Sequence, residues 1–266
     1  MTTETLTSLA HAVGDIGDGA HLALGGGPDD GRPLALVREL VRQGRRKLHL
    51  TGWATGADVE LLVRVDAAEQ VSIPGYLGPR GTQIGDDAGF YRFVATAQGL
   101  DYFPLNAAQA GAQEAASPTT GAPHWVVPAA RPDVAVLHAS AATPNGTVLS
   151  NTDRRTFERD RAIVAASGAV VVSVEQIVSD DTAAHAEQVL VQQAHAVVLA
   201  PFGSHPAGFA PNYQADEVAL ARLAAVADPA QLESEVRRSS DHWSYLDSDA
   251  GIGALLHRAG DRRRRS

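Results

Sequence analysis

Three consecutive glycines, Gly25, Gly26 and Gly27, follow a short apolar run and precede a turn that contains Gly31. A helix with Pro33 near its first turn comes next. Glycines at the carboxyl end of a strand let backbone N–H groups approach a ligand closely, and the following helix N-terminus adds positive potential. This arrangement suits a phosphate, a carboxylate or a developing oxyanion. A tight strand-to-helix turn without a ligand is the competing interpretation.

Familiar motifs do not explain this turn. A dinucleotide-binding fingerprint needs a third glycine where the sequence has Asp30, and a phosphate-binding P-loop needs Gly-Lys-Ser/Thr, which is absent. The chain contains no cysteine, which excludes thiolate nucleophiles and cysteine-ligated metals. Its histidines form no His-x-x-x-His pair, so we expect no metal site.

The elements around the turn alternate between short apolar strands and Ala- and Leu-rich helices. The predicted strands are residues 21–24, 47–51, 70–73, 134–139, 169–174 and 196–200. The predicted helices between them are residues 33–44, 57–65, 86–96, 107–116 and 156–166. Continuous apolar strands that alternate with helices predict an α/β fold with a mainly parallel sheet flanked by helices. In helix 33–44, Arg38 and Glu39 are expected to face outward.

The strand pattern stops after Pro211. Helices are predicted at residues 214–227, 230–238 and 251–257, and we interpret them as a C-terminal helical extension of a single domain at residues 1–258. Residues 259–266 form a basic tail, for which a solvated end is the favoured interpretation.

Composition and charge restrict the partners. Of 266 residues, 44% are hydrophobic and 20% are charged, which is ordinary for a soluble globular protein. The net charge of −9 disfavours a nucleic-acid partner. No apolar run is long enough to cross a membrane and the N-terminus does not resemble a signal peptide, so we expect a cytoplasmic protein.

The glycine turn resembles the first signature of the family I CoA-transferases. The positions that match this signature are Asp18, Gly19, Leu22, Ala23, Leu24, Gly25, Gly26, Gly31 and Pro33. Gly27 departs from it, because the family has Phe there. Residues 131–138 with 143–146, 160–178, and 197–206 with Tyr213 and Asp216 resemble further segments of the α subunit of the glutaconate CoA-transferase branch.

The resemblance implies that this chain is the α-type subunit of a heteromeric enzyme that acts on acyl-CoA thioesters and carboxylic acids. In this family a glutamate, usually in a Ser-Glu-Asn-Gly motif of the β subunit, attacks the thioester. This sequence contains no Glu-Asn-Gly, so a β-type partner is expected to supply the glutamate. No tightly bound cofactor is expected, and coenzyme A enters as part of the substrate.

The resemblance also suggests site residues. Gly25, Gly26, Gly27 and Gly31 would form the oxyanion and substrate loop. The segment from Tyr76 and Gly78 to Arg80 resembles a family turn that faces the interface cleft. Arg80 could pair there with a substrate carboxylate, and a plain turn with an exposed arginine is equally compatible with the sequence.

Some relatives that resemble this branch use a carboxylate of the α chain. Asp101 and Glu114 are the carboxylates in the corresponding region, although we favour solvated or structural roles for both. Tyr102 and Asn106 would then shape a substrate pocket.

Two alternative functions remain open. The first is a CoA-thioester hydrolase, ring-opening enzyme or cyclase on the same scaffold, and the second is a non-catalytic scaffolding subunit.

Glu175 lies at the end of an apolar strand, and we expect it to accept a structural hydrogen bond from residues 212–216.

Overall fold

The computed structural model describes residues 5–248. Eleven strands lie within this range: β1 His21–Leu24, β2 Leu48–Gly52, β3 Ala68–Ser72, β4 Tyr102–Leu105, β5 Gln113–Ala116, β6 Pro123–Pro128, β7 Val134–Ala142, β8 Val148–Leu149, β9 Ala169–Ile177, β10 Val189–Val191 and β11 Ala196–Leu199. The helices within it are α1 Leu9–Gly14, α2 Leu34–Arg42, α3 Ala57–Arg64, α4 Asp86–Ala97, α5 Arg154–Ala166, α6 Asp180–Ala184, α7 Glu217–Ala225, α8 Pro229–Arg238 and α9 His242–Ser248.

A mainly parallel sheet forms the centre of the fold, as the sequence predicts. Its parallel strands lie in the order β3, β2, β1, β7, β9 and β11, and the short strands β8 and β10 extend it in antiparallel fashion from the end of β7. Strand residues such as Leu22, Leu24 and Val136 are fully buried because helices cover both faces. The carboxyl ends of β1, β2 and β3 therefore meet at one edge, where α/β proteins place their sites.

A second, three-stranded antiparallel sheet corrects one prediction. The helix predicted at residues 107–116 does not form, because β5 occupies its end and pairs with β6, which also pairs with β4. Gly111 adopts a positive φ of 82° in the turn before β5. Helix propensity of the alanines is overridden by this turn and by packing of Leu105, Val127 and Ile84 next to α4.

The C-terminal helices cover the outer face of α2, which corrects a second expectation. Arg38 and Glu39 are buried rather than solvated. Arg38 donates to the His205 carbonyl at 2.6 Å and lies over the Tyr245 ring at 3.7 Å.

Helices α7 and α8 confirm the predicted extension, whereas the helix predicted at residues 251–257 and the basic tail lie outside the described residues. No helix within residues 5–248 is long and apolar enough to span a membrane.

A buried ion pair anchors the glycine turn that follows β1. Arg32 donates from Nε to Asp58 Oδ1 at 2.8 Å and from Nη2 to Asp58 Oδ2 at 2.7 Å, and both side chains are fully buried. Its Nη1 donates to the Gly26 carbonyl at 3.0 Å and to the Gly27 carbonyl at 3.3 Å. One guanidinium thus joins the turn after β1 to the first turn of α3.

Asp58→Asn tests how strongly this pair stabilises the fold. The amide leaves the Arg32 charge buried without its counter-charge, so we expect the free energy of unfolding to fall by about 3–5 kcal/mol. Equilibrium urea unfolding measures the change. Glu158→Gln, the matched change in the exposed pair with Arg154, should leave the urea midpoint nearly unchanged. Equal effects of the two substitutions would contradict this role of Arg32.

Candidate active-site cleft

A polar cleft of about 470 Å³ lies at the carboxyl ends of the central strands. It is bounded by the turn after β1, the residues that follow β2 and β3, and the N-terminal turns of α4 and α5. Its lining residues are Pro28, Trp53, Ala54, Thr55, Pro74, Asp86, Asp153, Arg155, Thr156 and Arg159. The volume falls in the range of small-molecule sites.

Most N–H groups of the glycine turn are used inside the protein. Gly25 donates to the Val136 carbonyl at 3.1 Å, Gly26 to Asp160 Oδ1 at 3.0 Å and Gly31 to the Gly208 carbonyl at 2.9 Å. The N–H of Gly27 has no acceptor among residues 5–248. Of the four predicted loop glycines, Gly27 is therefore the one whose N–H is left for a ligand.

The ion pair below the turn orients that N–H group. The carbonyl of Gly26 and the N–H of Gly27 belong to one planar trans peptide and point in opposite directions. Because Arg32 holds the Gly26 carbonyl, the N–H of Gly27 points away from Arg32. A Cβ on Gly27 would lie 3.8 Å from Thr156 Oγ1, so Gly27 lies next to the wall of the cleft.

Gly26, in contrast, is required by geometry. Its φ is +89°, and a Cβ would lie 2.3 Å from the Gly31 carbonyl oxygen. Any side chain there would force the turn open. Substitutions that probe ligand binding belong at Gly27, where the nearest contact of a Cβ is an ordinary 3.5 Å.

Asp160 connects the glycine turn to the cleft wall. Its Oδ1 accepts the Gly26 N–H and, at 3.2 Å, the indole N–H of Trp53. Burial raises the pKa of Asp160 to about 6, although both hydrogen bonds and the nearby Arg32 charge act in the opposite direction. The Asp160 carboxyl group is thus a buried group that joins the glycine turn to Trp53 rather than a solvated acid.

Two arginines on α5 face the cleft. Arg159 lies over the rings of Trp53 and Phe90, at 4.8 Å and 5.4 Å from their centroids. Burial, and then the neighbouring charge of Arg155, lower the pKa of Arg159. Within residues 5–248 neither guanidinium forms an ion pair or donates a hydrogen bond to the protein.

The carboxylates that line the cleft differ in availability. Asp153 caps α5, accepting from the N–H groups of Arg155 and Thr156 and from the Thr156 hydroxyl, and the Thr156 hydrogen bond in particular lowers its pKa. Asp86 lies exposed in the first turn of α4 and accepts no hydrogen bond from the described residues. Asp86 is therefore the one carboxylate of the described lining that is free to act on a ligand.

The turn that contains Tyr76, Gly78 and Arg80, predicted from the sequence to face a substrate, does not line this cleft. The Arg80 guanidinium turns back to Asp66 and to the Ala68 carbonyl, and the Tyr76 hydroxyl donates to the Pro79 carbonyl at 2.9 Å. Gly78 packs against the Tyr76 ring, where a Cβ would lie 2.6 Å from the hydroxyl oxygen. In this structure Arg80 forms an internal pair that closes the turn, and its pairing with a substrate carboxylate stays a prediction.

The remaining predicted residues lie on or directly beside the three-stranded sheet, outside the cleft lining. Tyr102 and Asn106 are exposed, and Glu114 is exposed on β5. Asp101 pairs with Arg131 at 2.7 Å on the surface, where both side chains are mostly exposed. None of the four approaches the cleft as a lining residue.

Glu175 belongs to a buried network next to the site. It accepts from the Tyr213 hydroxyl at 3.0 Å and the Phe202 N–H at 3.0 Å, and it bonds His138 Nε2 at 2.7 Å. The predicted structural hydrogen bond to residues 212–216 is confirmed through Tyr213.

His205 bonds Tyr245 and Asp216, and no group of metal-ligating residues occurs within residues 5–248.

Sequence reasoning missed Trp53, Arg155 and Arg159. Trp53 immediately follows β2, which is a position where parallel sheets present functional side chains. The arginines are four residues apart in the first turns of a capped helix, and this spacing places them on one face. Predicting that α5 starts at residue 156 hid this signal, because the helix begins at Arg154 behind the cap Asp153.

Asp160→Asn tests the raised pKa of the buried Asp160 carboxyl group through the pH dependence of stability. The pKa of Asp160 is about 6 in the folded state and ordinarily 3.8, so protonation of Asp160 stabilises the folded state. This stabilisation is complete below about pH 3.8 and is lost as the pH rises through about 6. The asparagine does not titrate and its Oδ1 can keep both hydrogen bonds. Urea unfolding from about pH 4 to about pH 7 should show the stability of the wild type, relative to the variant, falling by on the order of 3 kcal/mol. A pH-independent difference would contradict the raised pKa.

Comparisons with known proteins identify several that are similar to this chain in sequence. No family model matches the sequence. The A-type subunit of glutaconate CoA-transferase from Acidaminococcus fermentans is 27% identical over 72% of this chain and 73% of its own length. The A-type subunit of 3-oxoadipate CoA-transferase from Pseudomonas knackmussii is 28% identical over 69% of this chain and 74% of its own length. An uncharacterized protein of Archaeoglobus fulgidus is 25% identical over 96% of this chain, which spans 64% of that protein.

Solved structures share the fold. Glutaconate CoA-transferase of Acidaminococcus fermentans superposes with a TM-score of 0.83 over 95% of this chain and 94% of its own, at 23% identity. A variant of the decarboxylase AibA/AibB superposes with a TM-score of 0.73 over 88% of this chain and 99% of its own, at 29% identity. The chain is thus homologous to the A-type subunits of CoA-transferases and has the family I CoA-transferase fold.

Proposed function

We propose that this chain is the α-type subunit of a heteromeric CoA-transferase that acts on acyl-CoA thioesters and carboxylic acids. A β-type partner supplies the attacking glutamate. The observation that carries the proposal is the composition of the cleft and of the turn beside it. Among the described residues the Gly27 N–H next to the cleft has no acceptor, and Arg155 and Arg159 in the lining form no ion pair. Of the carboxylates in the described lining one, Asp86, accepts no hydrogen bond from the protein. Such a cleft binds and polarises a substrate but lacks a buried nucleophile of its own.

The chemistry assigns this chain the binding half of the reaction. The partner's carboxylate attacks the thioester carbonyl, and the Gly27 N–H donates to the oxygen as negative charge develops on it. The C–S bond breaks, CoA thiolate leaves, and a mixed anhydride remains on the glutamate. The thiolate then attacks the glutamyl carbonyl, which releases the first acid and leaves a glutamyl-CoA thioester. A second carboxylate reverses these steps and departs as the new acyl-CoA.

A CoA-thioester hydrolase, ring-opening enzyme or cyclase on the same scaffold is the main alternative, and two observations favour an enzyme of another class. The relatives in solved structures include a decarboxylase, and Asp86 lies in the cleft without a hydrogen-bonding partner among the described residues. In that case the carboxylate of Asp86 would act as the base. A scaffolding subunit without any catalytic contribution would tolerate changes throughout the cleft.

Purification of the tagged chain from its native host tests the two-subunit proposal. Native mass spectrometry should find a second chain of similar size that carries a Ser-Glu-Asn-Gly-type glutamate. The purified complex should exchange CoA between two acids and should not consume thioester without an acceptor. A chain that purifies alone, or thioester loss without an acceptor, would contradict the proposal.

Asp86→Asn separates the transferase from the alternative. If the partner's glutamate is the nucleophile, we expect kcat to fall by less than about tenfold, whereas loss of a catalytic base would lower it by about 100- to 10,000-fold. Initial rates of the complex with saturating acyl-CoA give the answer. Asp87→Asn is the matched control, because Asp87 lies in the same helical turn but outside the cleft lining.

A further inference from the structure

Glu175 is the centre of a buried polar network that joins β7, β9 and the loop of residues 202–213. Its Oε1 accepts from the Tyr213 hydroxyl at 3.0 Å and bonds His138 Nε2 at 2.7 Å, and its Oε2 accepts from the Phe202 N–H at 3.0 Å. Because the oxygens of a carboxylate only accept, all three partners donate to Glu175. The Glu175 side chain is 13% exposed and the His138 side chain is fully buried. A carboxylate in such a place is tolerated because its oxygens are satisfied.

The residue types of a hydrolase triad occur in this network, but burial excludes a nucleophile. Ser173 Oγ lies 2.9 Å from His138 Nδ1, and the other nitrogen of the ring is bonded to Glu175. Ser173 is fully buried, and the backbone of the loop lies directly on the imidazole, since a Cβ on Gly203 would be 2.7 Å from His138 Cε1. A fully buried hydroxyl cannot reach a substrate. The network therefore acts by holding the structure around it.

Glu175 holds the 202–213 loop at both of its ends. Phe202 begins the loop and Tyr213 ends it, and one carboxylate accepts from the backbone of the first and from the side chain of the second. The Tyr213 hydroxyl also accepts from the Ser204 N–H at 3.0 Å, which ties the two ends to each other. The path of the loop thus depends on a single buried side chain.

The 202–213 loop in turn holds the glycine turn and the start of α2. The Gly208 carbonyl of the loop accepts from the Gly31 N–H at 2.9 Å. The Gly203 carbonyl accepts at 2.7 Å from the N–H of Ala35, which lies in the first turn of α2 and has no partner within its own helix. A displacement of the loop therefore shifts the end of the glycine turn and the helix that follows it.

We propose that Glu175 is a positioning residue, which holds the Gly27 N–H in place through the 202–213 loop and the glycine turn. Gly27 lies in the turn whose far end, at Gly31, is bonded to this loop. Release of that end moves the Gly27 N–H relative to the cleft wall, and an oxyanion donor acts only within hydrogen-bonding distance of the developing charge. For the reaction this inference rests on the proposed function, but the coupling between loop and turn does not.

Hydrogen exchange in the complex purified with its native partner tests this coupling. In Glu175→Gln the amide has one acceptor oxygen instead of two, so one end of the 202–213 loop loses its acceptor. We expect amide exchange in the loop, and in the peptide that contains Gly31 and Ala35, to accelerate by about 10- to 100-fold. Tyr213→Phe, which removes only a hydroxyl, should accelerate the same peptides and serves as the test if Glu175→Gln does not fold.

Ser173→Ala is the matched control. It removes the other hydrogen-bonding partner of the His138 ring, is equally buried, and bonds no residue of the loop. Amide exchange in the loop and in the glycine turn should therefore stay nearly unchanged in Ser173→Ala, even where the substitution lowers the free energy of unfolding.

Steady-state kinetics of the same complexes give a second readout. Glu175→Gln should lower kcat by about 10- to 100-fold and leave KM for acyl-CoA nearly unchanged, because the Gly27 N–H acts on charge that develops in the transition state. Ser173→Ala should keep the kcat of the wild type, since a loss of stability alone does not change the rate of the folded enzyme.

Three outcomes would overturn the proposal. Faster exchange in the 202–213 loop alone would show that the glycine turn is held without it. Equal losses of kcat in Glu175→Gln and Ser173→Ala would assign Glu175 a general structural role. An unchanged kcat in Glu175→Gln, despite faster exchange in the turn, would remove its role in the reaction. Faster exchange in the turn of Glu175→Gln, in a complex whose wild type does not transfer CoA, would reject the proposed function alone.

Discussion

One buried guanidinium–carboxylate pair fixes the geometry on which the cleft depends. Arg32 and Asp58 are removed from water, and such a pair is tolerated only when all of its donors and acceptors are satisfied. The remaining Arg32 donor holds the carbonyls of Gly26 and Gly27. The loop after β1 and the start of α3 therefore form one rigid unit, and planarity of the Gly26–Gly27 peptide directs the Gly27 N–H away from Arg32.

Asp160 extends this rigid unit to the binding side of the cleft. It accepts hydrogen bonds from Gly26 and from Trp53, and the Trp53 ring in turn supports Arg159. The glycine turn at Gly26 and the Arg159 guanidinium in the cleft wall are thus connected by three consecutive contacts. Positioning of both ends by buried groups fits a chain whose task is to hold a substrate for a nucleophile from elsewhere.

The sequence predicts the central sheet well because its strands are continuous apolar runs between amphipathic helices. It fails at residues 107–116, where alanine propensity indicates a helix but pairing with β6 decides the structure. The glycine turn is found from spacing, yet spacing does not reveal which N–H groups are already bonded. That assignment depends on partners distant in the chain, such as Val136 and Asp160. The pairing of Arg80 with Asp66 is hidden from the sequence for the same reason, because it joins residues that only the folded chain brings together.

Mapping the covalent intermediate tests the central claim, that this chain binds the substrate while its partner supplies the nucleophile. The complex is incubated with acyl-CoA and treated with borohydride, which reduces a glutamyl thioester to an alcohol. Mass spectrometry of the digested chains then locates the reduced side chain. The account predicts one modified glutamate, on the partner chain. A modified carboxylate on this chain, with Asp86 the first to inspect, would contradict it.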